Sequence, residues 1–277
     1  MQCTSGYGVN MMLRRVVLMA AFVAHLLGGV LSGQQPSYYA DSIVPQMAIG
    51  GGWQTSIVLV NLSDKQNPFR VNFWTQAGFE RQVSLEGMGV PVTYLQSTLP
   101  AGGSVTITTQ ALPGSNESSG WAEVNSAEVV GGVVIFSFSK PGIEKPEPVV
   151  ATVPIGSRFA SRFVVPFDNR CIETDGKGPA SRFGTAVALV NPSFLVAANV
   201  EATFRTGSGM TIVTKNMRLG AGEQLAFVLP ETYAELECRS GVAEFLTSNL
   251  ELSGFALRFT PGLVDFASFP AMVPIGR

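Results

Sequence analysis

Glu123 and Glu244 are the carboxylates of this chain whose positions could support acid–base chemistry. They occupy matching places in two similar stretches, residues 120–124 and 241–245. Glycoside hydrolysis needs two carboxyl groups roughly 5–10 Å apart, so an enzyme acting on polysaccharide through carboxylates is one function to consider. Repetition of a strand explains the same pair more simply, with one outward-facing glutamate in each half of the chain.

Trp74 is the candidate binding residue, because it stands in phase with Arg70, Asn72 and Gln76 on the polar side of an alternating stretch. An indole ring among hydrogen-bonding side chains can stack on a sugar ring or on an aromatic residue of a partner. We therefore predict a binding face made of Trp74, Arg70, Asn72 and Gln76. The alternative is a tryptophan covered by a neighbouring loop or by the other domain. Arg205 occupies the matching position in the second half, so two equivalent sites are not expected.

The N-terminal segment has the order of a secretory signal. Arg14 and Arg15 precede an apolar run over residues 16–31, which ends in small residues before the polar Gln34. We expect residues 1–33 to be a signal peptide and 34–41 a linker, which makes the protein secreted, periplasmic or located at the cell surface. A retained N-terminal anchor is the alternative, and we expect no membrane span in the mature chain.

His25, the only histidine, lies within the predicted signal peptide. A mature chain without histidine excludes Ser-His-Asp and Cys-His catalysis, which need an imidazole, and most catalytic zinc sites. With no other catalytic motif found, we predict a protein that is not an enzyme and has no cofactor. The net charge of −2 argues against a nucleic-acid partner, which would call for a basic stripe.

Cys171 and Cys238 are the cysteines that remain in the mature chain. In an oxidising compartment they are expected to form a disulfide; two buried free thiols are the alternative. Asp168, Glu173 and Asp175 stand near Cys171 and could offer oxygens to calcium, but their spacing fits no EF-hand loop. We therefore predict no metal site.

A repeated series of short patterns shows which elements must position these residues. The patterns recur in the same order in both halves of the chain, as expected for an internal repeat. The matched pairs are 53–61 with 183–191, 69–73 with 200–204, 99–107 with 219–227, 120–124 with 241–245, and 132–135 with 254–257. Because apolar and polar residues alternate in these blocks, with Gly, Pro and Asn between them, each block predicts a β-strand.

The spacing of the strands predicts an all-β protein with two tandem immunoglobulin-like β-sandwiches. We place the first repeat at residues 42–157 and the second at 158–277, with a single larger sandwich of exchanged strands as the alternative. One helix is expected, over residues 230–236, where a proline precedes an acidic residue. The matched aromatic residues Trp53 and Phe183 are predicted to fill the core.

The repeat resembles an uncharacterised tandem module of exported bacterial proteins. Its units open with Gly-Gly-Gly-Trp and a strand with Thr, Leu and Asn, and continue to an Ala-Gly-Gly-Ser strand; residues 50–61 and 101–104 carry these features here. The resemblance implies an immunoglobulin-like fold and export. Its motifs are structural, and it suggests no particular activity for this chain. The second unit lacks the glycines and the tryptophan.

These observations favour a non-catalytic exported protein with a structural, adhesive or ligand-binding function. The expected partner is a protein or a glycan at the cell surface. The polysaccharide-acting enzyme remains the alternative.

Overall fold

The structure is a computed structural model that describes residues 39–110, 114–140, 142, 147–155, 160–172, 181–248 and 252–274. The predicted signal peptide lies outside the described residues. Strand β1 (Tyr39–Ile49) begins inside the segment predicted as a linker. Among the described residues, no helix is long and apolar enough to cross a membrane.

The first half of the chain forms two antiparallel four-stranded sheets, which together we call the first sandwich. After β1 the strands are β2 (Trp53–Asn61), β3 (Asn67–Thr75), β4 (Tyr94–Leu99), β5 (Ser104–Thr108), β6 (Ser118–Ser126), β7 (Val130–Phe138) and β8 (Val149–Pro154). One sheet has the order β1-β6-β3-β4 and the other β5-β2-β7-β8. Most of the residues matched in the sequence therefore lie on strands, as predicted, and the block 99–107 also includes the turn between β4 and β5.

The second half forms the second sandwich in the same strand order. Its strands are β9 (Arg162–Asp168), the short pair β10 (Cys171–Ile172) and β11 (Ser181–Arg182), then β12 (Gly184–Val190), β13 (Ala198–Thr206), β14 (Thr211–Leu219), β15 (Gln224–Val228), β16 (Ser240–Thr247), β17 (Ser253–Phe259) and β18 (Phe266–Pro270). The sheets have the orders β14-β13-β16-β9 and β15-β12-β17-β18, and β10 pairs with β11. No sheet in the described part of the chain mixes strands from the two halves.

Helical structure is confined to short segments in the described residues. The helix α1 (Leu229–Thr232) and the 3₁₀ turn η1 (Ala234–Leu236) occupy the place where one helix was predicted. A second 3₁₀ turn, η2 (Pro261–Leu263), precedes β18. The all-β prediction is confirmed.

The period of two along β3 shows how the sequence builds the core. Phe69, Val71 and Phe73 are almost fully buried, whereas Arg70 and Asn72 face the other side of the sheet and are half-buried. The buried side chains pack against residues of the facing sheet such as Leu59 and Val134. The apolar set of each strand therefore fixes which face of its sheet is internal.

A buried asparagine at the end of β2, and its equivalent at the end of β12, ties two loops together in each sandwich. Asn61 Nδ2 donates to the carbonyl oxygens of Lys65 (2.6 Å) and Pro100 (2.8 Å). Asn191 Nδ2 makes the same two bonds, to Val196 O and Gly220 O, each 2.8 Å. The Asn shared by the two repeats is therefore a structural clamp between the β2–β3 and β4–β5 connections and their equivalents.

The two sandwiches belong to one compact unit and pack against each other. Phe136 of β7 stacks on Phe255 of β17, with ring centroids 5.6 Å apart. Ser268 Oγ donates to Thr152 O (2.6 Å), which joins β18 to β8. Nearly every residue of β12 is buried, because one face of its sheet meets its own sandwich and the other meets the first sandwich.

Candidate functional site

A cavity of about 330 Å³ lies between the two sandwiches. The first sandwich contributes the apolar residues Ala48, Trp53 and Phe136 to its walls, and the second contributes alanines and large apolar side chains of β12, β15 and β17. Cavities of this size that form between domains, with mainly apolar walls and a few polar groups, are typical sites for small ligands.

The cavity exists because several side chains on the second sandwich are small. Ala186 and Ala188 of β12 and Ala226 of β15 line the cavity together with Phe255 and Leu257 of β17. These residues lie on the face of their sheet that is opposite to the core of the second sandwich, as the alternation of buried side chains requires. Three alanines on neighbouring strands therefore leave a space that larger side chains would fill.

The polar residues of the cavity come from the first sandwich and are Gln46, Gln76, Glu117 and Ser119. Gln46 Nε2 donates to Ser119 Oγ (3.1 Å), and Gln46 Oε1 accepts a hydrogen bond from Gln224 Nε2. These bonds fix the orientation of the Gln46 amide. Gln76 and Glu117 are exposed, so they mark the side of the cavity that faces solvent.

The Gly-Gly-Gly turn at residues 50–52 places Trp53 on the cavity wall. Gly50 has φ +81°, and a Cβ there would lie 2.3 Å from Asn116 O, so only glycine allows the turn to pack against the segment that leads to Glu117. The centroid of the Trp53 ring lies 4.9 Å from that of Phe138 and 5.3 Å from that of Phe266, which belongs to the second sandwich. The predicted packing residue Trp53 thus touches both halves of the molecule.

The predicted binding face is divided in the structure. The Trp74 ring packs against Trp121 (5.8 Å between centroids) and against Phe194 of the second sandwich (4.6 Å). Its Nε1 is buried and has no hydrogen-bond partner among the described residues. Trp74 therefore contacts the other half of this chain, as the alternative interpretation of this residue held.

Arg70 and Asn72 form a separate polar network on the outer face of β3. Arg70 Nε donates to Asn72 Oδ1 (2.7 Å), and the Arg70 guanidinium lies over the Tyr94 ring at 3.9 Å from its centroid. Asn72 Nδ2 donates to Asn125 Oδ1 (2.9 Å). Gln76 lies away from this network, at the cavity, and its backbone oxygen accepts a hydrogen bond from Gln224 N (2.8 Å). Binding by these four residues stays a prediction.

The two repeated glutamates lie on different sandwiches. Glu123 Oε2 accepts a hydrogen bond from Asn72 Nδ2 (3.3 Å). Glu244 is 8% exposed and accepts hydrogen bonds from both Arg162 and Arg205. Burial acts to raise the pKa of Glu244, but the two arginines outweigh it and the pKa lies below its usual value. Glu244 is therefore an ionised partner of two arginines, a poor match to a general acid.

The Asp168 carboxylate likewise forms ion pairs with two arginines, Arg170 and Arg258. Its pKa falls to about 2, chiefly because Arg170 donates hydrogen bonds to its carboxylate, with a further bond from Arg258 (2.9 Å). The other two residues considered for calcium, Glu173 and Asp175, lie outside the described residues. Within the described ranges, no three histidine, cysteine or acidic side chains come together as metal ligands would.

Cys171 and Cys238 lie at disulfide-bonding distance, with their Cα atoms 4.7 Å apart. The pairing predicted from the sequence is confirmed in this respect. The bond joins β10 to the segment between η1 and β16. It therefore ties the β10–β11 pair to the second sandwich.

Several residues at the boundary between the sandwiches were not identified as candidates from the sequence, among them Phe194, Gln46 and the three cavity alanines. The sequence did hold a signal. The strand positions occupied by Ala186, Ala188 and Ala226 are filled by Ser56, Val58 and Thr106 in the first repeat, and this change toward small apolar residues indicates a covered face. Searches against protein-family models, curated proteins and solved structures found no match to this chain.

Proposed function

We propose that this chain is a non-catalytic, exported binding protein that holds a small apolar group in the cavity between two immunoglobulin-like sandwiches. The observation that carries the proposal is the cavity itself, whose walls combine three alanines with aromatic side chains of both halves. Export is supported by the signal-like N-terminus and by the cysteine pair.

The chemistry of the walls favours an apolar ligand with one hydrogen-bonding group. A volume of about 330 Å³ is near the lower end of the range for small-molecule sites. Gln76 and Glu117, at the solvent side, could bind the polar end of such a ligand. Of the expected surface partners, a protein that inserts an apolar side chain fits this cavity better than a glycan, because the cavity walls are mainly apolar. The Trp74 ring, which could have stacked on a sugar, packs against Phe194.

The immunoglobulin-like description rests on strand pairing. In both sandwiches the second strand pairs with the fifth, and the third with the sixth, counting equivalent strands. These are the B–E and C–F pairs of immunoglobulin domains. Three other pairs depart from the constant-domain order. The seventh strand pairs with the second instead of the sixth, the first pairs with the sixth, and the fourth pairs with the third.

A polysaccharide-acting enzyme has weaker support. Its two glutamates lie on separate sandwiches, and Glu244 is held by two arginines. A catalytic pair would need both carboxyl groups to face one sugar ring.

Titration of the purified chain with anilinonaphthalene sulfonate, a fluorescent apolar probe, tests the proposal. We expect one saturable site and a change in tryptophan emission, since Trp53 is part of the wall. Ala226→Phe should fill the cavity and lower the affinity for the probe at least about tenfold, because the new ring occupies the space in which the probe would bury its apolar surface. The matched control is Ala234→Phe, at an exposed position in η1, which should leave affinity unchanged. Equal binding by both variants would contradict the proposal.

A further inference from the structure

One part of the contact between the two sandwiches of one chain is a loop tip on a sheet face. The tip, here called the second tip, comprises residues 191–197 and 220–223. The face, here called the first face, comprises Ile43, Trp74 and Trp121. Phe194 of the second tip lies 4.6 Å from Trp74 and 5.7 Å from Trp121 between ring centroids. Trp121 Nε1 donates to Gly222 O (3.0 Å).

The first sandwich carries an equivalent tip, residues 61–66 and 100–103, which we call the first tip. Its two loops are joined as in the second tip: Gly102 N donates to Ser63 O (3.2 Å), where Gly222 N donates to Ser193 O (2.7 Å). The first tip has a different surface, because the exposed Asp64 stands where the second tip has Phe194, counting from the clamping asparagines. The first tip is thus preformed by the same hydrogen bonds.

The second sandwich carries an equivalent face, Val164, Arg205 and Val242, which we call the second face. The turn beside it repeats the turn beside the first face, since Thr206 N donates to Met210 O (2.9 Å) and Thr75 N to Phe79 O (2.8 Å). The Arg205 side chain is 35% exposed. The second face therefore has the strand pairing and the adjoining turn of the first, with arginine and valine in place of its two tryptophans.

The replaced residues are complementary in charge. Within the chain, Phe194 meets Trp74; at the unused tip and face, the corresponding residues are Asp64 and Arg205. Arg205 shares Glu244 with Arg162, so two positive charges face one negative charge and an additional carboxylate is favoured there. Lys65, next to Asp64, lies 4.0 Å from Glu128, which balances its charge.

The outer surface of β2 and β7 gives independent support. It carries Val58, Val60, Val133 and Ile135, which are half-buried. The corresponding positions of the second sandwich, from Ala188 to Leu257, are packed against the first sandwich. An apolar surface at the same positions of the first sandwich is expected if that sheet also meets a neighbour.

We propose that copies of this chain associate head to tail, with the first tip of one copy on the second face of the next and Asp64 facing Arg205. The contact repeats the packing between the sandwiches of a single chain. Because the two surfaces differ, the association is heterologous, and each copy can bind one neighbour through its tip and another through its face. This assembly is separate from ligand binding in the cavity.

Charge exchange between two variants tests the pairing, with assembly followed by sedimentation velocity over a range of protein concentrations. The wild-type chain should grow in mass with concentration, and less so at high salt. Asp64→Arg alone and Arg205→Asp alone should each weaken association at least about tenfold, because like charges then meet. An equimolar mixture of the two variants should recover it, since each tip meets a face of opposite charge.

Controls separate the contact from a loss of fold. Circular dichroism must show native β-structure in each variant, and Glu201→Arg, at an exposed position on β13, should leave assembly unchanged. If Arg205→Asp does not fold, Asp64→Arg and Ala101→Trp, both on the exposed first tip, decide the matter, because both should prevent assembly. Three results would overturn the proposal. They are a wild-type chain that stays monomeric at all concentrations, single variants that assemble like the wild type, and a mixture of folded variants that does not recover assembly.

Discussion

Trp121 and Trp74 provide a test of the contact between the sandwiches, because the two indoles touch the same Phe194 ring and differ in one bond. Trp121 is fully buried and its Nε1 donates to Gly222 O at 3.0 Å. Trp74 Nε1 is also buried but has no partner among the described residues. Replacing each by phenylalanine removes the same ring nitrogen from two different hydrogen-bonding situations.

The expected energies follow from that difference. Each substitution removes roughly 40 Å² of ring surface, about 1 kcal/mol at about 25 cal/mol per Å². Trp121→Phe also leaves the Gly222 carbonyl without its donor, which costs about 1–3 kcal/mol. Trp74→Phe removes a buried donor that has no partner. The folded chain then no longer bears the cost of that donor, which is also about 1–3 kcal/mol and offsets the lost ring burial. We expect Trp121→Phe to lower the free energy of unfolding by about 2–4 kcal/mol and Trp74→Phe to leave it nearly unchanged or slightly raised.

Urea unfolding followed by far-UV circular dichroism measures both values without relying on tryptophan emission. The urea slope should stay the same in the two variants, since the surface exposed on unfolding hardly changes. Equal destabilisation by the two substitutions would refute this account. It would mean that ring packing alone, and not the bond to Gly222, determines the stability of the contact.

Two further predictions concern residues that the structure holds by hydrogen bonds. Asn191→Ala should lower the free energy of unfolding by about 2–3 kcal/mol in thermal unfolding, because two carbonyl oxygens lose their donor; the exposed Asn216→Ala is the control, and equal melting of the two would contradict the clamp. Asp168, with a pKa of about 2 in the folded chain, should contribute stability that is complete above about pH 5 and is lost as the pH falls through about 2. The loss should be at most about 2 kcal/mol and absent in Asp168→Asn. If the free energy of unfolding of that variant fell with acid as much as that of the wild type, Asp168 would not be the group responsible.

The strands could be predicted because each carries its own pattern. The alternation of Phe69, Val71 and Phe73 with polar residues is sufficient to assign β3 and its buried face. The same pattern correctly placed Trp74 on the outer side of its sheet. It could not show that Phe194, far along the chain, covers that side, because the contact of a distant loop with a sheet depends on tertiary packing and not on the period of one strand.

Similarity between the repeats therefore identifies the parts that fold each sandwich, and dissimilarity identifies where the sandwiches meet. Asn61 and Asn191 match because both clamp loops within their own domain. Trp74 and Arg205 differ because one lies under the second sandwich and the other is partly exposed. Two copies of one fold in a single chain do not have the same neighbours, so substitutions confined to equivalent outer faces point to surfaces that bind. The cavity alanines and the proposed intermolecular pair of Asp64 and Arg205 are therefore the positions at which function is to be sought.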